Sequence, residues 1–182
     1  MTLLYLRHGQ TDWNAKGLVQ GRTDIPLNET GREQARNRAA ELVSHRPPVE
    51  IIYASPLLRA RKTAEIIHQG IDVPLRFDDR LAERYFGTLE GTKTMWWLSE
   101  SECALHGAES SLALYERVSG FLDELAARHA GQTVLVVAHG CVARMVHWYF
   151  HGQDETDTAK HGNAILRCYD KKLAGERPAF TG

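Results

Sequence analysis

The sequence predicts a three-layer α/β fold in which a mainly parallel β-sheet is flanked by helices on both faces. Strand-like and helix-like runs alternate along most of the 182 residues, with a helical crossover after most strands. Two of the strand runs, Leu3–Leu6 and Val134–Ala138, are apolar throughout rather than alternating, the pattern of strands buried on both faces. A third observation marks the functional edge. Leu3-Leu4-Tyr5-Leu6-Arg7-His8-Gly9 and Val134-Leu135-Val136-Val137-Ala138-His139-Gly140 each run from an apolar strand straight into a His-Gly pair. That placement puts two imidazoles at the carboxyl edge of the sheet, where open α/β folds bind ligands.

The elements follow in order. Thr2–Arg7 reads as the first strand, and a long polar connection, Gly9–Leu27, follows it. Glu29–His45 is helical, with Ala35, Ala39, Leu42 and Val43 on one face; Asn28 is placed to cap it and Pro47-Pro48 to stop it. Glu50–Ala54 is the second strand and Leu57–Gln69 the next helix, with Gly70 where a C-cap glycine belongs. Val73–Phe77 is the third strand. A second long connection, Asp78–Gly107, contains Glu83 and Trp96-Trp97; such connections are usually functional loops, so both are expected at the rim of a site. Ser110–His129 is a helix with Gly131 beyond its end, Gln132–Ala138 a strand, a helix starts near Cys141, and Ala164–Asp170 closes the chain's strands. With no repeat or linker between them, residues 1–182 are expected to form a single domain.

Composition excludes several function classes. With 43% hydrophobic and 25% charged residues the chain has the make-up of a soluble protein with a sizeable core. A formal net charge of -1 supplies no global field for nucleic acid or an anionic membrane, so neither is an expected partner and any preference for anions is local. Cys103, Cys141 and Cys168 are odd in number and widely spaced, which reads as free thiols in a reducing cytoplasm. The apolar start is interrupted by Arg7 and His8, too early for the roughly 7–15 apolar residues of a signal peptide. No run approaches the roughly 20 apolar residues of a membrane span, and a cytoplasmic location is expected.

A neutral imidazole can attack phosphorus and form a phosphohistidine if cations cancel the phosphoryl charge of roughly -1.5 to -2. His8 has Arg7 beside it for that purpose, and Gly9 after it would let the backbone approach a ligand. A lone strand-end histidine is commonly a core residue; His139 strengthens the reading because it repeats the geometry before Gly140 and a helix N-terminus, which favours anions. Arg59 lies in the first turns of the helix after the second strand, poor placement for the macrodipole but good placement for a forked donor to phosphate oxygens. Arg61 and Lys62 read as a solvated face. Ester hydrolysis also needs a carboxyl that protonates the departing alkoxide and then activates water. Glu83 and Glu90 both lie in a glycine-punctuated loop, and the residues alone do not choose between them.

These segments accumulate. Arg7-His8-Gly9-Gln-Thr-Asp-Trp-Asn14, Gln20-Gly21-Arg-Thr-Asp24, Ser55-Pro-Leu-Leu-Arg59-Ala-Arg-Lys-Thr63, Glu83-Arg84-Tyr-Phe-Gly87, Gly107-Ala-Glu109-Ser110 and Val-Ala-His139-Gly140 occur in the order seen in the histidine phosphatase superfamily, the phosphoglycerate-mutase-like proteins, which the chain resembles over nearly its whole length. The resemblance implies His8 as the phosphorylated nucleophile, Arg7, Arg59 and His139 as the phosphate pocket, and Glu83 as general acid, then base. It further implies Asn14, Gln20, Gly21, Arg84 and the Gly140 backbone as contacts to the phosphoryl group or its neighbour. It implies no metal and no cofactor.

Departures from the mutase branch bear on the substrate. That branch carries a tyrosine where Phe86 stands and an asparagine where Cys141 stands, and it has a longer, basic insertion where this chain has the short, apolar Thr92-Lys-Thr-Met95-Trp96-Trp97-Leu98. A mutase must hold a doubly anionic phosphate donor while it reorients, which calls for extra cations and a closed site. Hydrolysis of a small phosphate monoester without a metal is therefore the expected activity. Met95, Trp96 and Trp97 either stack on an apolar leaving group or bury themselves on the core. Two rivals are a cofactor-dependent phosphoglycerate mutase and a non-catalytic phospholigand-binding protein. A two-His-one-carboxylate metal site on His8, His139 and Glu83 is a further variant, against which the neighbouring arginines count because cations repel a metal. The edge strand and exposed aromatics leave room for a homodimer.

Overall fold

Side chains alternate across a strand, so a strand that is apolar at every position needs cover on both faces. The computed structural model, which describes residues 1–93, 99–152 and 162–170, provides it. Five strands, β1 (Thr2–Arg7), β2 (Ile51–Ala54), β3 (Leu75–Phe77), β4 (Thr133–Ala138) and β5 (Leu166–Tyr169), form one sheet in the order β3-β2-β4-β1-β5. All pairings are parallel except that of β5, which runs antiparallel to β1 at the edge. The helices are α1 (Asp12–Lys16), α2 (Glu29–Val43), α3 (Leu58–Ile71), α4 (Glu100–Leu105), α5 (Ser111–Arg128) and α6 (Gly140–His151).

Leu3 and Tyr5 of β1 and Val134 and Val136 of β4 face one way and pack with Val118 and Leu122 of α5 and Val146 of α6. Leu4, Leu6, Leu135 and Val137 face the other way and pack with Ala39 and Leu42 of α2 and Ala64 and Ile67 of α3. The result is the expected three layers. Leu135, at the centre of the sheet and 0% exposed, has little room for its surroundings to collapse. Leu135→Ala is expected to cost about 3 kcal/mol in urea unfolding with an unchanged denaturant slope.

The ends of the elements read from the sequence agree to within a few residues, whereas α1 and α4 lie inside the two long connections that read as loops. Asn28 caps α2, its Oδ1 accepting from Gly31 N at 2.9 Å. Gly131 adopts φ 78° just beyond α5. Gly70 is a correction: α3 runs through it to Ile71, and Asp72 supplies the left-handed cap at φ 47°. Gly70 is small for packing instead, since a Cβ there would stand 3.1 Å from the Ala39 Cβ on α2. A second correction concerns Gly9, whose added Cβ would lie 2.3 Å from the Gly31 carbonyl oxygen. The glycine lets the loop after β1 lie against the start of α2, a contact inside the protein rather than with a ligand.

Register places the site. Arg7 pairs with Ala138 at the ends of β1 and β4, and His8 N–H donates to the Ala138 carbonyl at 2.9 Å. His8 and His139, one residue further along neighbouring strands, therefore emerge side by side. The two long connections lie above that edge and bind each other: Gly91 N donates to Val19 O at 2.8 Å and Val19 N to Thr92 O at 2.9 Å. Among the described residues no helix is long and apolar enough to cross a membrane.

Candidate active site

A cavity of about 350 Å³ opens at this edge. Arg7 and His8 from the end of β1, Asn14, Gln20 and Gly21 from the first connection, Arg59 from α3, and Glu83 and Arg84 from the second connection all line it. His139 and Gly140, expected with them, are not on its wall. His139 is wholly buried beside His8, the ring centroids 5.2 Å apart at 59°. Its Nε2 lies 2.7 Å from Ser55 Oγ, and its Nδ1 is buried without a hydrogen-bond partner. Gly140 sits against Arg7, an added Cβ falling 3.7 Å from the guanidinium carbon.

His8 is held in one tautomer. Its Nδ1 lies 2.7 Å from the Gly9 carbonyl oxygen, and a carbonyl only accepts, so Nδ1 carries the proton and the Nε2 lone pair is left unprotonated. Asn163 fixes the backbone around it. That carboxamide nitrogen donates to the carbonyls of His8 at 3.1 Å and Gly9 at 3.3 Å, and to Asn14 Oδ1 at 3.1 Å. Burial, then the positive charges of Arg59 and Arg7, hold the His8 imidazole well below its ordinary value. Burial and Arg59, with His8 and Arg7 adding, do the same to His139.

Two histidines kept neutral in the fold make stability depend on pH with a definite sign. Below the ordinary value of 6.5 the unfolded chain takes up protons that the folded one refuses, so stability falls as pH drops from 6.5 toward the lower folded values. Each group contributes up to about 1.4 kcal/mol per pH unit in that window. Thermal or urea unfolding between pH 7 and pH 5 is expected to show a slope approaching two protons, and about one in a His8→Ala variant. A flat profile would contradict the neutral pair.

Arg59 is 1% exposed. One end of its guanidinium donates to Gly21 O at 2.6 Å and Thr23 O at 3.0 Å, while Nε is buried without a partner. Gly21 presents that carbonyl from a left-handed conformation, φ 52°, where a Cβ would also strike Glu90 at 2.0 Å. Arg59 thus stays at the helix start, against the macrodipole, because carbonyls of the first connection hold it there. Asp24 does the capping that Leu57 cannot, accepting from Leu58 N at 2.7 Å.

The structure separates the two candidate glutamates. Glu83 is 8% exposed and lines the cavity, its Oε1 accepting from Arg84 N at 2.9 Å and its Oε2 from Cys141 N at 3.3 Å. The N-terminus of α6 therefore already holds the Glu83 carboxyl group. Glu90 instead ties the connections together, accepting from the backbone of Arg22, Thr23 and Phe86 and from the Thr23 hydroxyl.

Sequence reasoning missed several supports. Arg117 of α5 chelates Glu109 at 2.7 and 2.9 Å and donates to the carbonyls of Arg80, Ala82 and Glu83 at 2.6, 2.7 and 3.1 Å. It clamps the backbone that carries Glu83. Ser55, Asn163 and the pocket-lining Arg144 were also missed; only Ser55 lay within a quoted segment. Arg84 is partly committed already, pairing with Glu100 Oε2 at 3.0 Å. Leu18, Val19, Phe86 and Leu89 make one side of the cavity apolar, together with Cys103 and Cys141. Burial, then Glu83, pushes the Cys141 thiol up to about 12, so it is an apolar wall rather than a nucleophile. The three cysteines are free. Met95, Trp96 and Trp97, and with them His161, lie outside the described residues. Among the described residues no three His, Cys, Asp or Glu side chains gather as a metal-binding group.

A neutral imidazole backed by a second, with a carboxyl and several guanidinium groups around one cavity at the carboxyl edge of a mainly parallel sheet, defines an α/β enzyme of phosphate esters. Comparison with known proteins narrows the class. The chain matches the family model of the histidine phosphatase superfamily (branch 1) over residues 3–170, and it belongs to that superfamily. It is 34% identical to the uncharacterized phosphatase PhoE of Bacillus subtilis (strain 168), over 88% of this chain and 83% of that one. It is 33% identical to phosphoserine phosphatase 1 of Hydrogenobacter thermophilus (strain DSM 6534 / IAM 12695 / TK-6), over 84% and 77%. Among solved structures, Bacillus stearothermophilus YhfR superposes with a TM-score of 0.75 at 31% identity, covering 84% of this chain and 81% of that chain. The protein is a phosphatase of the histidine type.

Proposed function

We propose that the protein hydrolyses small phosphate monoesters through a phosphohistidine on His8, without a metal. The observation that carries this reading is the His8 tautomer: Nδ1 is committed to the Gly9 carbonyl at 2.7 Å, which leaves Nε2 a free nucleophile on a cavity wall that Arg7 and Arg59 share. Nε2 attacks phosphorus in line, forming the P–N bond as the ester P–O bond breaks. Arg7 and Arg59 spread the charge of the equatorial oxygens. A phosphoryl group seated there also gives Arg59 Nε the acceptor that it lacks, while His139, its ring centroid 5.2 Å from that of His8, backs the nucleophile. Asn14, Gln20 and Gly21 border that group and Arg84 the leaving group, with Gly140 behind them against Arg7.

Glu83 gives its proton to the departing oxygen. As a carboxylate it then takes a proton from water, whose oxygen attacks phosphorus, breaks the P–N bond and releases phosphate with neutral His8 restored. Water is the acceptor rather than a second substrate oxygen because Phe86 and Cys141 both line the cavity and lack the phenol and the carboxamide that stand there in the mutase branch. Three free thiols, one of them exposed, suit a reducing cytoplasm as the place of action.

The test is turnover of p-nitrophenyl phosphate in the presence of EDTA, followed by acid and alkaline quenching during turnover. Activity with EDTA and a label that is acid-labile, alkali-stable and mapped to His8 are expected. Phosphate release with no such adduct, or its loss on chelation, would overturn the mechanism.

A further inference from the structure

Four guanidinium groups, those of Arg7, Arg59, Arg84 and Arg144, line the cavity, against two carboxyl groups, those of Glu83 and Glu100. Three of the cations have evident partners. Arg84 pairs with Glu100 at 3.0 Å. Arg7 and Arg59 match the two charges of a phosphate monoester. Glu83, when it holds the proton needed by the leaving oxygen, cancels nothing. Arg144 is left over: it is exposed, lines the cavity, and makes no ion pair or hydrogen bond to a side chain or carbonyl among the described residues.

Its position selects the part of a substrate that it could meet. Arg144 lies four residues beyond Gly140 on α6, about 6 Å further along the helix axis, a little over one turn. Its charge acts on the Cys141 thiol, which shares the cavity wall. It therefore stands away from phosphorus, on the leaving-group side, with apolar Phe86, Leu89 and Cys103 lining the same space.

We propose that Arg144 is a specificity-determining residue that receives a carboxylate carried by the leaving group, so that the preferred substrates are phosphomonoesters with a carboxylate a few atoms from the ester oxygen. This assignment rests on the hydrolytic reading above. The cavity then closes electrically: the phosphoryl group answers Arg7 and Arg59, the carboxylate answers Arg144, and the apolar wall covers the carbon stem between them. A forked guanidinium also orients a carboxylate, which a point charge does not.

Two esters of nearly equal size separate the contributions. 3-Phosphoglycerate carries the carboxylate, glycerol 1-phosphate has a hydroxymethyl group in its place, and p-nitrophenyl phosphate reports the chemistry alone. The wild type is expected to favour 3-phosphoglycerate over glycerol 1-phosphate by about 30-fold in kcat/KM, in the range of one charge-assisted contact. Arg144→Met, which keeps length and packing, is expected to abolish that preference, chiefly through KM, and to lower the ratio of 3-phosphoglycerate to p-nitrophenyl phosphate turnover about as much. Arg144→Lys is expected to restore part of it. An equal kcat/KM for the two glycerol esters in the wild type, or a preference that survives Arg144→Met, overturns the assignment. A wild type inert toward p-nitrophenyl phosphate overturns the hydrolytic reading itself and this assignment with it.

Discussion

His8→Ala is expected to lower kcat for p-nitrophenyl phosphate by about 10⁵-fold or more, equivalent to about 7 kcal/mol of barrier. Alanine removes the atom that forms the P–N bond, and no neighbour can stand in. His139 is neutral but wholly buried with Nε2 engaged by Ser55 at 2.7 Å, and burial keeps Cys141 a thiol. The variant should still fold, since His8 contributes one ring contact to His139 and one bond to a neighbouring carbonyl. It should also bind phosphate, because Arg7 and Arg59 remain. Single-turnover quench on the purified variant, with calorimetry for phosphate affinity, reads both. Residual activity above about one part in a thousand would place the nucleophile elsewhere.

Glu83→Gln has the second largest expected effect, and it depends on the substrate. Alkyl phosphates depart as strongly basic alkoxides and need the proton, so kcat/KM for glycerol 1-phosphate should fall about 10³-fold, within the usual range for a positioned acid. p-Nitrophenolate departs without help, so its ester should lose less than about tenfold. Across a series of leaving groups the plot of log kcat/KM against leaving-group basicity should steepen. Glutamine keeps the size of the side chain, and its carboxamide oxygen can still accept from Arg84 N, now at 2.9 Å from Oε1. A uniform loss over all leaving groups would mean that the carboxyl positions the phosphoryl group instead of donating a proton. Glu90→Gln is the contrast: its four donors all belong to the two connections, so unfolding stability should report it.

Much of this site could be read before any coordinates. Uniformly apolar strands ending in His-Gly needed only the period of a strand and the cover that such strands require, and the ends of β1 and β4 are indeed neighbours. Arg59 was legible through its segment, although its helix position alone argued against it. Other features had no local signal. Asn163 reaches the His8 carbonyl across 155 positions of sequence, and Arg117 reaches the Glu83 carbonyl across 34; hydrogen bonds of that separation leave no spacing to detect. Gly9 and Gly70 were misread for a related reason, since a glycine in sequence shows that room is needed without showing which neighbour needs it. Both face other segments of this chain.

The order of apolar and polar residues alone determined the layered sheet, the edge at which chemistry sits and the residue types gathered there, because burial period and strand-end position are properties of consecutive residues. Only tertiary structure decided which nitrogen of His8 is free, whether Glu83 or Glu90 faces the cavity, that His139 stands buried beside His8, and that Arg144 is the cation left over. Those distinctions rest on distances between segments far apart in the chain. Tautomer, desolvation and charge balance are set by what surrounds a group in space, and local order carries no record of that.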